Sequence, residues 1–225
     1  MEAQSRGTGN RLIRALGVLT ESAPGRGALA VSAAASFLSA RSPGAALVFV
    51  LLPAYVVLTR GDFSTAAEPE AGVAGGSPAA EIPSPSEIPL RLAAAALAAA
   101  AGILALGIGG TIAQRFRTQV FTLPWGLGTA CAAASLILAA VHLPFLAAFG
   151  RRAGRIAAGT VFAAAGIAAA LSSFPVGSLY AAFLWLLYSG SAPALYLPLV
   201  LGAAALAGLS AAASRAILRA RAAGR

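Results

Sequence analysis

His142 is the only histidine in this 225-residue chain and Cys131 the only cysteine. Between them they hold most of the side-chain chemistry of its second half. A zinc site needs three or four ligands, and a Ser-His-acid triad needs a carboxylate. No Asp or Glu follows Glu87, so neither site can be assembled there. Cys131 and His142 do not make a nucleophile and base, because eleven positions on one helix lie about 16 Å apart along the axis. His142, between Val141 and Leu143, suits a hydrogen bond across a helix interface. It is the one candidate intramembrane polar site, with a proton relay as the alternative role.

The missing carboxylates bear on other chemistries. Ion-coupled transporters commonly carry their ion on Asp, Glu or His near the bilayer midplane. Membrane enzymes acting on diphosphates hold magnesium through carboxylate oxygens. The apolar blocks after Glu87 can build neither, although helix-end and backbone-carbonyl ion sites stay open. All sixteen basic residues are Arg, and without Lys a phosphate-binding Walker loop cannot be completed. The expectation is a chain with no catalytic activity, metal or cofactor of its own. ATP, if it drives this protein, is bound by another chain.

Whatever positions these residues must do so in lipid. Hydrophobic residues make up 59% of the chain and charged residues 10%, against about 25% charged in soluble domains; mean hydropathy is +0.82. The net charge of +9 is dispersed in clusters between apolar blocks: Arg6 to Arg26, Arg115 with Arg117, Arg151 to Arg155, and Arg215 to Arg225. Charges flanking spanning helices are arranged this way. A nucleic-acid partner would call for one basic surface with interleaved aromatics, so none is expected. The first apolar block begins near Gly27, late for a cleaved signal peptide, and a retained first helix is expected.

The pattern predicts an all-α, polytopic helical membrane protein of the cell membrane with about six transmembrane helices. Residues 1–26 form a basic cytoplasmic segment, either a short amphipathic stretch on the membrane surface or a mobile tail. Residues 27–59 form a first membrane part: one long helix kinked at Pro43, or a hairpin turning at Arg41–Gly44. Residues 60–89, rich in acid, Pro and Gly, are expected to be a flexible aqueous loop. Residues 90–214 form the second membrane part, with spans at Leu90–Ala113, Leu127–Phe149, Ile156–Phe174 and Leu195–Ala213, and an aromatic interfacial segment at Val176–Ser189. Residues 215–225 form a basic cytoplasmic tail. Gly102, Gly107, Gly110, Gly159, Gly166, Gly202 and Gly208 provide for close helix contact. With the hairpin there are six spans, both termini lie inside, and only Arg115 and Arg117 break the positive-inside tendency.

Two segments and the tail resemble the membrane subunits of ABC-2-type exporters, the short six-helix permeases. Gln114–Pro124 looks like the segment ending in Leu-Pro that precedes a membrane helix in that family. Leu143–Arg155 looks like its proline, Phe-Gly and basic turn, and the tail after Ser214 looks like its C-terminal end. The similarity spans about residues 110–225. It implies a permease subunit, a homo- or heterodimer, energised by a separate ATPase chain and moving an amphipathic or lipid-like cargo. Arg115, Arg117, Arg151 and Arg152 would then dock the ATPase or contact lipid headgroups, against the plainer role of interfacial anchors. The alternative is a non-transporting scaffold or accessory subunit that binds other helices through small-residue faces.

Overall fold

A computed structural model describes residues 2–37, 43–63, 83–115, 125–172 and 193–223. Arg117, most of Gln114–Pro124, the Val176–Ser189 segment and most of the acidic stretch lie outside them. The described residues form seven α-helices: α1 Glu2–Glu21, α2 Ala23–Ala34, α3 Pro43–Arg60, α4 Glu87–Gln114, α5 Trp125–Phe149, α6 Arg151–Ser172 and α7 Pro193–Ala223.

Residues 2–21, read above as part of a surface stretch or tail, form the helix α1. Leu12, Ala15, Leu16 and Leu19 recur at helical spacing, and this face packs on Ala54 and Val57 of α3 and on Leu90, Ala94 and Ala98 of α4. Pro24 cannot continue the helix, since it lacks an N–H. Ser22 therefore starts a new one, its hydroxyl accepting from the Gly25 N–H at 3.0 Å. Together α1 and α2 make a broken rod along α4, from the level of Leu90 to that of Gly109, which meets the Ala33 backbone. The stretch 27–59 contains the end of α2, a 3-10 turn at Ala35–Phe37 and α3. Ser32 lies beside Phe49, so α2 and α3 run antiparallel.

The remaining pairings follow the same alternation. Val50 of α3 lies against Gly102 of α4, while Leu58 lies against Arg91, so those helices are antiparallel. Helix α6 returns along α3, with the Tyr55 and Phe162 rings 5.0 Å apart. Between α5 and α6 the chain reverses at Gly150, the only residue with positive φ (85°) among those described. That conformation is open to glycine without steric cost. The turn closes through the Gly150 N–H on Leu146 and the Gly154 N–H on Gly150. Helix α7 runs parallel to α5, since Ser210 meets Ala140 and Arg221 meets Ala147.

Three prolines sit inside helices, Pro53, Pro144 and Pro198, and a neighbouring serine stitches each of the first two. Pro53 removes the N–H that would bond the Phe49 carbonyl, and Pro144 does the same to Ala140. Ser32 of α2 reaches Phe49 O at 2.9 Å, sharing its single hydrogen with Ala28 O at 2.8 Å. Ser210 of α7 donates to Ala140 O at 2.5 Å. In hydrocarbon such freed carbonyls must find partners within the protein. Ser210→Ala is expected to cost about 1 kcal/mol. In a Pro144→Ala background most of that loss should vanish, because the restored N–H bonds Ala140 again. Unfolding of the four variants in mild detergent measures the coupling; additive losses would show that the serine does not serve the proline.

Three helical stretches among the described residues are long and apolar enough to cross a membrane: Glu87–Gln114, Gly128–Phe149 and Tyr196–Ala223. This is three against the six expected; Ala46–Arg60 is apolar but shorter. Only 17% of the most apolar window of α7 is buried, and Leu209 and Leu104 are 71% and 68% exposed. Water on those faces would strip the protein of much of its hydrophobic stabilisation. They are lipid-facing, and the protein is a multi-pass helical membrane protein.

Candidate functional site

One end of the bundle gathers the C-termini of α3 and α5 and the N-termini of α4 and α6. Peptide dipoles leave unpaired carbonyls at the first pair and unpaired N–H groups at the second. Arginines from elsewhere cap the carbonyls. Arg91 Nη1 reaches Leu58 O at 3.5 Å, Arg155 Nε donates to Thr59 O at 2.9 Å, and Arg221 Nη1 donates to Ala147 O at 3.3 Å. Arg11 reaches across from α1 to Phe63 O at 2.6 Å.

Arg91 is the most enclosed of these, 3% exposed. It pairs with Glu87 one turn earlier at 3.2 Å, and its guanidinium lies 4.2 Å from the centroid of the buried Phe63 ring. Glu87, 6% exposed, also accepts from the Ser84 N–H at 3.2 Å. This charge pair was not singled out in the sequence, where the span was begun at Leu90 and Glu87 was assigned to the loop. A signal was there. Arg91 is the one charged residue in the run 90–113, and a Glu four residues before an Arg is a favourable helix pair.

Between these helix ends lies a pocket of about 200 Å³. Arg60 and Asp62 border it at the end of α3, Arg91 comes from α4, and Arg151 and Arg155 come from the first two turns of α6. Leu58 and Leu146 form its apolar wall, beside His142. Four cations thus face one carboxylate. Asp62 lies on the surface with Arg14, 3.9 Å away, a separation and exposure at which an ion pair contributes little.

His142 is 1% exposed, and its Nδ1 stands 2.9 Å from the carbonyl oxygen of Gly154. A carbonyl can only accept, so Nδ1 carries the hydrogen and Nε2 of the neutral ring is an acceptor. This bond joins α5 to α6. Nε2, in contrast, is buried without a hydrogen-bond partner, an arrangement that costs about 1–3 kcal/mol.

The described arginines among the docking or headgroup candidates lie at opposite ends of the bundle. Arg151 lines the pocket and Arg152 is exposed beside it. Arg115 ends the opposite, C-terminal end of α4, about 36 Å along the axis from Arg91, and Arg117 lies outside the described residues. Among the described residues no three His, Cys, Asp or Glu side chains converge to hold a metal ion. Comparison of the chain with protein families, with curated proteins and with solved structures finds no match.

Proposed function

We propose that this chain is the membrane-spanning permease subunit of an exporter, energised by a separate ATPase chain and performing no catalysis itself. Its cargo is an anionic, amphipathic or lipid-like molecule. The observation that carries this reading is the cationic pocket at one end of a bundle whose outer faces are apolar. A charged head can leave water for such a pocket while an apolar tail stays against helix surface or lipid. Six crossings of the cell membrane follow if the broken rod α1–α2 and the helices α3 to α7 each span once. The pocket end, richer in Arg, then faces the cytoplasm. The ABC-type character rests on the sequence resemblance. Since Arg115 and Arg151 lie at opposite ends of the bundle, docking of a cytoplasmic ATPase is assigned to Arg151 and Arg152 alone.

Purification from the native membrane in mild detergent is expected to recover a nucleotide-binding chain with this one. Arg152→Gln, at an exposed position, should lower that recovery several-fold without changing the amount of folded permease. A second reading, a scaffold for other membrane helices, draws on α7, where Gly202 and Gly208 face open space and the apolar window is barely covered. Recovery of other membrane proteins, with no nucleotide-binding chain at any level, would replace the exporter by that scaffold.

A further inference from the structure

We infer that the pocket between α3, α4, α5 and α6 binds a phosphate monoester group, with His142 Nε2 taking part in its recognition. The inference rests on the reading of this pocket as the cargo site and names the chemistry of the head it takes.

The first ground is electrostatic. Arg151, Arg152 and Arg155 occupy the first turns of α6, which has no acidic residue in its first turn. That is the end where the helix dipole is already positive. An oxyanion bound beside cations stacked there is favoured over a neutral group, and the N–H groups of a helix N-terminus are themselves anion ligands. Arg60 and Arg91 close on the same space from α3 and α4. Guanidinium groups offer several N–H donors in a fixed plane, and they suit an oxyanion with three or more acceptor oxygens.

The second ground is a buried neutral acceptor beside these donors. Nδ1 is committed as donor to Gly154 O, so the unpartnered Nε2 calls for a ligand that brings a hydrogen. A carboxylate, a sulfate ester and a phosphodiester are all fully deprotonated near neutral pH and bring none. A phosphate monoester, whose second ionisation lies near pH 6, keeps a P–O–H in its monoanion. That hydrogen bonds to Nε2, so that one proton, carried in by the ligand, lies between ring and phosphate. The group can belong to a lipid headgroup or to a soluble phosphate, and the chemistry of recognition is the same.

The test is lipid binding to the purified chain, without any ATPase, read by native mass spectrometry. Phosphatidic acid, a monoester, is compared with phosphatidylmethanol, a diester whose head carries no hydroxyl hydrogen. Wild type is expected to prefer phosphatidic acid by about tenfold, as charge-assisted hydrogen bonds warrant. His142→Asn keeps an amide N–H where Nδ1 donates and removes Nε2; the preference should fall to near parity. Arg60→Gln, at an exposed position, should weaken both lipids about tenfold and keep the preference. Displacement of phosphatidic acid by inorganic phosphate would assign the site to soluble phosphates, and failure to displace would assign it to lipid heads. Equal binding of both lipids to wild type, retention of neither, or a preference unchanged in His142→Asn would overturn the inference. Should His142→Asn not fold, wild type and Arg60→Gln decide alone. Because no transport is measured, the binding result stands or falls separately from the exporter reading.

Discussion

Glu87→Leu is expected to destabilise the protein by about 3–5 kcal/mol, the usual consequence of leaving a buried charge without its partner. Arg91 is 3% exposed. Once Glu87 is gone, the contacts that remain to it include the Phe63 ring and a long one to Leu58 O. A ring quadrupole contributes about 1 kcal/mol to a cation and cannot replace an ion pair in a site closed to water. Arg91→Leu should cost less, because Glu87 keeps the Ser84 N–H. The double variant Glu87→Leu with Arg91→Leu should recover to within about 1–2 kcal/mol of wild type, since an apolar pair of similar volume commonly replaces a buried ion pair at little cost. Thermal or denaturant unfolding in detergent closes this double-mutant cycle. A loss under about 1 kcal/mol for Glu87→Leu would mean that water reaches the pair.

The pair has a consequence for the pocket. Arg91 forms one wall and holds Phe63, whose carbonyl anchors Arg11 of α1. Loosening it frees the corner where α1, α3 and α4 meet, so Glu87→Leu should also weaken anion binding, though the carboxylate it removes is negative. A pure charge effect would have the opposite sign. The two are separable by measuring binding in the double variant, where the corner is packed again but one pocket cation is missing.

What the sequence displayed and what it concealed differ in physical kind. The helices and their lipid surroundings were legible because apolar blocks are a one-dimensional property, read from runs of Ala, Leu and Ile without knowing any contact. The helix break at Gly150 was legible too, in Phe149-Gly150 followed by a basic turn. The pocket was not, because Arg60, Arg91, Arg151 and Arg155 belong to three helices and converge only when α4 and α6 both pack antiparallel to α3. Each looked like an interfacial anchor taken singly. Helix α1 was hidden for another reason. Its three glycines weaken local helix preference, and its order derives from Leu12, Leu16 and Leu19 meeting α3 and α4. Likewise Ser32 and Ser210 looked like incidental hydroxyls, and their use becomes visible only opposite the carbonyls that Pro53 and Pro144 set free.

Glycine shows most sharply how far neighbours decide. Gly107 and Gly109 lie two positions apart on α4, in one apolar run, and nothing local separates them. A Cβ on Gly109 would run into the Ala33 backbone of α2, and a Cβ on Gly102 into the Val50 carbonyl of α3. Backbone cannot swing aside like the end of a side chain, so the helices must part along their whole contact. Gly109→Ala and Gly102→Ala are each expected to cost about 1–3 kcal/mol by overpacking, and Gly109→Leu more. A Cβ on Gly107 meets nothing within 4 Å. There the change only removes backbone freedom from the unfolded chain and improves helix propensity, so Gly107→Ala should stabilise by about 0.5–1 kcal/mol. Unfolding midpoints in one detergent would then move in opposite directions for neighbouring, chemically identical substitutions. If both shifts had the same sign, the close approach of α2 to α4 would not exist in the folded protein. The broken rod α1–α2 would then lose its seat beside the helix that supplies Arg91 to the pocket.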